Sequence, residues 1–260
     1  VSGRKSDVLD CQWIWQLMTH GLLGGAFRPA DDICAMRSLV RQRGNRVRDQ
    51  AKSVNRMQKA LYQMNIQLAN VISDITGVTG MKIIRAIIAG ERDPHVLASL
   101  RDCRIKADQA TVARSLHGNW RFEHLHALRQ EVEWYDFIER QIAECDQAIC
   151  RAFERLPVLN EDTTPATKVL KSAHRSAGEQ ATLHKALHRM MGVDLTAIPT
   201  IGIDTALVLA SEIGPDLGRF PTSEHFCSWL GLAPPTRISG GKPFASTTAK
   251  ILNRAAQPLQ

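Results

Sequence analysis

I33-CAMRSLVRQRGNRVRDQAKSVNRMQKALYQM-64 reads as one helix, long enough to set the class of the whole fold. Ile33, Met36, Leu39, Val40, Val47, Val54, Met57, Leu61 and Met64 recur at intervals near three, four and seven, the spacing that gathers apolar side chains on one helical face. The same window is strongly basic. From Arg37 to Lys59 there are eight cations and one acid, and removing them from the chain's 33 basic and 26 acidic residues leaves 25 of each. The formal charge of +7 and the pI near 9.3 therefore come from this helix. Arg41, Arg43, Arg46, Arg48, Lys52, Arg56 and Lys59 suit contacts with phosphate, which give affinity without reading base sequence. The alternatives are a solvated basic face, a membrane-surface helix or a partner helix.

A further amphipathic helix is predicted over residues 119–156, with Leu125, Leu128, Val132, Tyr135, Ile138, Ile142, Cys145, Ile149, Phe153 and Leu156 in one stripe. Its flanking charges are mixed, as on a solvated coiled coil. The stripe either packs internally or joins two chains. Residues 160–180 are polar, and Pro157 and Pro165 interrupt helices there, which marks a linker before a C-terminal unit. Few segments alternate as strands do, so the expected fold is mainly α.

Two stretches bear on chemistry. In R219-FPTSEHFCSWLGLAPPTRISGGK-242 a helix meets a proline break and then Ser239, between Arg237 and the run Gly240, Gly241, Lys242. The glycines let backbone amides approach a phosphate and the cations neutralise it, so Ser239 is a candidate nucleophile; a Gly-rich surface turn is the alternative. In G3-RKSDVLDCQWIWQLMTHGLL-23, Asp7 and Asp10 stand three apart at a helix start. That spacing stacks two carboxylates, suited either to magnesium or to helix capping.

Residues 75–94 and 198–216 share a Gly-containing turn, an apolar helix and a terminating glycine beside an acid. Residues 198–216 resemble a helix-hairpin-helix motif, whose tight turn offers amides to a nucleic-acid phosphate. Gly202 is in place, while Thr200 stands where that motif prefers glycine. An ordinary αα-hairpin is the alternative.

Five ordered segments carry a resemblance over nearly the whole chain: GRKSDVLD with HGLL, MRSLVRQRGNRVRDQ, SDITGVTGMKIIRAIIAGERDP, LTAIPTIGIDTALVLASEIGPDLGRFP and FCSWLGLAPPTRISGGK. Together they resemble the transposases of the IS-one-ten insertion-sequence family, DEDD-type recombinases guided by a bridge RNA. The resemblance implies DNA cleavage and rejoining through Ser239, with Asp7 and Asp10 matching the last two of four magnesium-binding acids. It implies DNA and a guide RNA as partners, and a homo-oligomer. The family's first two acids lie upstream of the GRKSD segment, so the chain is expected to be truncated there and also beyond NRAAQPLQ. The implied plan is a remnant of an RNase-H-like (RuvC-like) domain at 1–30, a helical and coiled-coil region at 31–157, a linker and helix at 158–192, and a transposase domain at 193–260. A decayed, non-catalytic nucleic-acid-binding fragment and a helical scaffold are the rival readings. Asp10 and Ser239 are 229 residues apart, so a shared site needs the chain to fold back or to meet another subunit, and the latter is expected.

Other features take structural readings. Cys11, Cys34, Cys103, Cys145, Cys150 and Cys227 lack zinc-type pairing. His117, His124 and His126 are not spaced as ligands. Trp13, Trp15 and Trp229 are expected in the core, and Glu212 and Asp216 as caps or salt bridges. With neither a membrane-length apolar run nor a signal-peptide pattern, a cytoplasmic protein is expected.

Overall fold

The computed structural model describes residues 6–23, 27–161, 177–233, 237–239, 242–244 and 254–256. Two long helices organise it: α2 (Asp31–Gln63) and α6 (Phe122–Phe153), each about 50 Å long at 1.5 Å per residue. They lie antiparallel. Arg43 of α2 bonds Asp146 of α6, and Ser53 further along α2 donates to the carbonyl and carboxylate of Glu131 further back on α6. The α6 stripe is spent on this hairpin, with Leu128, Val132, Ile138, Ile142 and Ile149 all buried. Of the two readings of that stripe, packing within the chain is the one these buried residues show.

Two cores are threaded on the hairpin. The first joins Met57 and Leu61 of α2, with Met64 just beyond its end, to Leu128 and Val132 of α6 through the small helices α3 (Val78–Ala89), α4 (Pro94–Ser99) and α5 (Gln109–Ser115). The other joins Ile33, Met36 and Val40 of α2 and Ile149 of α6 to α7 (Ala177–Met191), α8 (Ile203–Ile213) and α9 (Ser223–Leu230). The C-terminal unit therefore shares its core with the start of α2 and the end of α6.

The repeated pattern in the sequence has a backbone counterpart. α3 runs from N-cap Gly77 to Gly90 at φ +108°, and α8 from N-cap Gly202 to Gly214 at φ +76°. Gly80 allows a closer approach, because a Cβ there would stand 2.2 Å from the Ile75 carbonyl oxygen. Gly80→Ala is expected to destabilise the fold: the clash costs about 3 kcal/mol, against roughly 1 kcal/mol gained in helix propensity. A urea titration should show a net loss of about 2 kcal/mol.

One expectation needs correction. Trp13 and Trp15 are 61% and 66% exposed, not in the core. Their helix, α1 (Asp7–Thr19), has apolar residues all round its circumference and none of them buried; lacking a polar back, it has no single face to lay against the hairpin. The described residues are mainly helical, as expected, with one short ribbon. β1 (Arg237–Ser239) and β2 (Lys242–Phe244) pair antiparallel, Ser239 opposite Lys242. Among the described residues no helix is long and apolar enough to cross a membrane.

Candidate functional site

The cationic helix is divided by the fold. Arg43 is only 7% exposed; its Nε lies 2.7 Å from Asp146 and its Nη1 3.8 Å from Asp204 at the start of α8. Arg41 donates from Nε and Nη2 to the two carboxylate oxygens of Glu212, both at 2.7 Å, and this hydrogen bonding raises the guanidinium pKa above its ordinary value. Arg37, outside the expected set, donates to the backbone carbonyls of Ser211 and Glu212 and approaches the Glu212 carboxylate at 3.3 Å. Glu212 is buried, so these contacts form a clasp fastening α8 to α2. Arg41 and Arg43 thus lie within internal ion pairs. Arg46 is half-buried beside Asp49, while Arg48, Lys52, Arg56 and Lys59 remain exposed along α2.

Gly202 caps α8 without a side-chain hydrogen bond, which leaves first-turn amides of the helix to other partners. Thr200 has φ +75°, so the backbone adopts the left-handed turn that the motif ordinarily gives to glycine. What precedes that turn is a three-residue 3-10 segment, Leu195–Ala197. Its cap, Asp194, is part of a buried cluster that sequence reasoning missed. One carboxylate oxygen accepts from the Thr196 amide at 3.0 Å and hydroxyl at 2.7 Å, and stands 2.8 Å from His184 Nε2. The only sequence signal was the Asp-x-Thr spacing of a cap.

Burial pushes the Asp194 pKa up, but hydrogen bonds from His184 and Thr196 outweigh it and hold the group below the ordinary aspartate value. A depressed folded-state pKa contributes stability above the unfolded value, near 3.9, and loses it as pH falls through the folded value. Stability should therefore decline below about pH 4. Asp194→Ala should lower it by about 1–3 kcal/mol at neutral pH, by leaving buried donors unpaired, and should flatten that acid limb in denaturant titrations.

At the C-terminal unit, Ser239 ends β1 opposite Lys242 at the start of β2, with Arg237 two residues back on the serine's strand. Gly240 and Gly241 lie outside the described residues. Asp7 and Asp10 occupy the first turn of α1, which Ser6 caps through the Leu9 amide. Both are exposed. Two solvent-facing carboxylates one turn apart are a donor set that magnesium uses when water and phosphate complete its shell; no group of three or more metal-type side chains occurs among the described residues.

The segment after α1 returns to the C-terminal unit. Phe27 sits 5.3 Å from Phe220 and 5.2 Å from Trp229 between ring centroids, in a cluster with Phe226 of α9. The eight residues from Thr19 to Phe27 span at most about 29 Å when extended.

Residues 194–259 match the family model of the Transposase IS116/IS110/IS902 family. Over 46 residues the chain is 48% identical to the insertion element IS110 uncharacterized 43.6 kDa protein of Streptomyces coelicolor. That stretch is 18% of this chain and 11% of the relative. No solved structure matches the chain.

Proposed function

We propose that this chain is a transposase of an insertion sequence, cutting and rejoining DNA through Ser239. The observation that carries the reading is the ribbon holding Ser239 opposite Lys242, inside the segment that matches the transposase family model. Ser239 Oγ attacks a DNA phosphorus. As the new O–P bond forms, the bond to the leaving deoxyribose oxygen breaks, the serine proton passes to solvent and the leaving oxygen takes one up. Rejoining reverses these steps at another end. Arg237 and Lys242 offset the charge that builds on the non-bridging oxygens. Asp7 and Asp10 would hold magnesium, which supplies charge stabilisation at phosphate and lowers the pKa of a bound hydroxyl.

The DEDD-type site, a bridge RNA as guide, a homo-oligomeric assembly and a cytoplasmic location belong to this same reading and rest on the sequence resemblance. So do the RNase-H-like remnant around α1 and the helix-hairpin-helix role of Gly202. A non-catalytic nucleic-acid-binding fragment is the other reading, favoured by the absence of any buried residue in the helix bearing Asp7 and Asp10. A covalent protein–DNA adduct on a denaturing gel separates them, using element-end DNA, magnesium and co-expressed flanking RNA. An adduct lost in Ser239→Ala supports the transposase, and binding without adduct supports the fragment.

A further inference from the structure

We propose that the open part of α2 is a single-strand nucleic-acid ridge, on which Arg48, Lys52, Arg56 and Lys59 follow one phosphate backbone and Tyr62 stacks an unpaired base. All five side chains are exposed, Tyr62 by 51%. At about 100° per residue they fall within roughly a third of the helix circumference, along a run of about 21 Å. Arg37 and Arg41 continue the same line towards the start of α2 but are taken by Glu212, so α8 closes one end of the ridge and Tyr62 marks the other.

Three features favour an unpaired strand over a duplex. The ridge is one cation wide, which suits one backbone. α6 lies alongside α2 for most of its length, and a helix pair about 20 Å across does not enter a major groove about 12 Å wide. An exposed tyrosine at the end of a cationic track offers a stacking surface that a splayed base can use and a paired base cannot. Two carboxylates flank the track: Asp49, 3.2 Å from Lys52 Nζ, and Glu131, 3.5 Å from Arg56 Nη1. Exposed pairs of this kind are weak, and phosphate displaces them.

The proposal deepens the nucleic-acid reading of the chain and is independent of the serine chemistry, so the test uses the Ser239→Ala chain alongside the unaltered one. Fluorescence anisotropy with oligothymidylate, oligouridylate and a mixed-sequence duplex is read against salt. Four backbone contacts predict a slope of log K on log salt near −2.8 for the single strands, falling by about 0.7 for each cation replaced by alanine. Tyr62→Ala should weaken single-strand binding between about five-fold and a hundred-fold, with Tyr62→Phe near the unaltered value and duplex binding unchanged by either. Tighter binding of one sugar type identifies the natural strand as RNA or DNA, and either outcome supports the ridge. Equal losses for duplex and single strand in Tyr62→Ala would overturn the proposal, as would a slope indifferent to the four cations. The substituted side chains are all exposed, and circular dichroism confirms that each variant is folded.

Discussion

Glu212→Ala should lower the stability of the chain by about 3–5 kcal/mol, the cost of removing one partner from a buried ion pair. The carboxylate is nearly inaccessible, accepts a two-pronged bond from Arg41 and lies 3.3 Å from Arg37 Nε. Its removal strands Arg37, whose side chain is only 18% exposed, with no counter-charge in a poorly hydrated seam. The reverse change is milder. Arg41→Ala leaves Glu212 with Arg37, and Arg41 is 40% exposed, so solvent screens part of its contribution; a loss of about 1–2 kcal/mol is expected for breaking these charge-assisted bonds. In urea the midpoint should fall with the slope unchanged, as for a stability change without loss of two-state behaviour. Replacing Arg37, Arg41 and Glu212 together with methionine should recover most of the loss, because well-packed apolar side chains often substitute for a buried ionic group without penalty. A Glu212→Ala protein within about 0.5 kcal/mol of the unaltered chain would mean that the apolar contacts of Ile203, Leu207 and Ile213 hold α8 without the clasp.

The long helices were legible because periodicity is a local signal. Ile33, Met36, Val40, Met57 and Leu61 occupy the buried face that their spacing required, and the same is true of Leu128, Val132 and Ile138 on α6. Charge was less legible. Arg41, Arg43 and Arg48 are equivalent in the sequence, yet Arg43 is sealed against Asp146, Arg41 is held by Glu212 and Arg48 is open. What separates them is a partner 103 or 171 positions away, and helical spacing carries no information about such partners. Glu212 was read as a cap or salt bridge, and the salt bridge is what forms.

The two tryptophans of α1 failed for the opposite reason. Composition says bury them, but a helix without a polar face packs only where it is enclosed, and neither core encloses it. The His184–Asp194–Thr196 cluster was missed because a buried polar group declares itself only through its partners, His184 coming from the helix before. For the candidate site, the sequence supplied Ser239 and its cations as neighbours. The structure adds the register that sets Ser239 opposite Lys242, and an aromatic cluster that seats Phe27 against Phe220 and Trp229.

The largest expected effect is on chemistry: Ser239→Ala should abolish the covalent adduct and lower strand cleavage by about 10⁴–10⁶-fold, the range seen when a catalytic nucleophile is removed. Without Oγ no phosphoserine can form, and any residual hydrolysis must use water. The clasp and the α2 ridge are remote from this substitution in sequence, so stability and single-strand binding should be unchanged, which separates a lost nucleophile from a misfolded protein. Lys242→Ala should keep the adduct but slow its formation by about 10²–10³-fold, the usual effect of losing one group that stabilises developing charge. The lysine sits opposite the serine in the ribbon, and a merely structural lysine would not move that rate. Asp7→Asn and Asp10→Asn should each reduce cleavage, and their deficit should narrow as magnesium is raised if the carboxylates act by holding the ion. An adduct that persists in Ser239→Ala would place the nucleophile elsewhere and leave the ribbon as a Gly-rich turn.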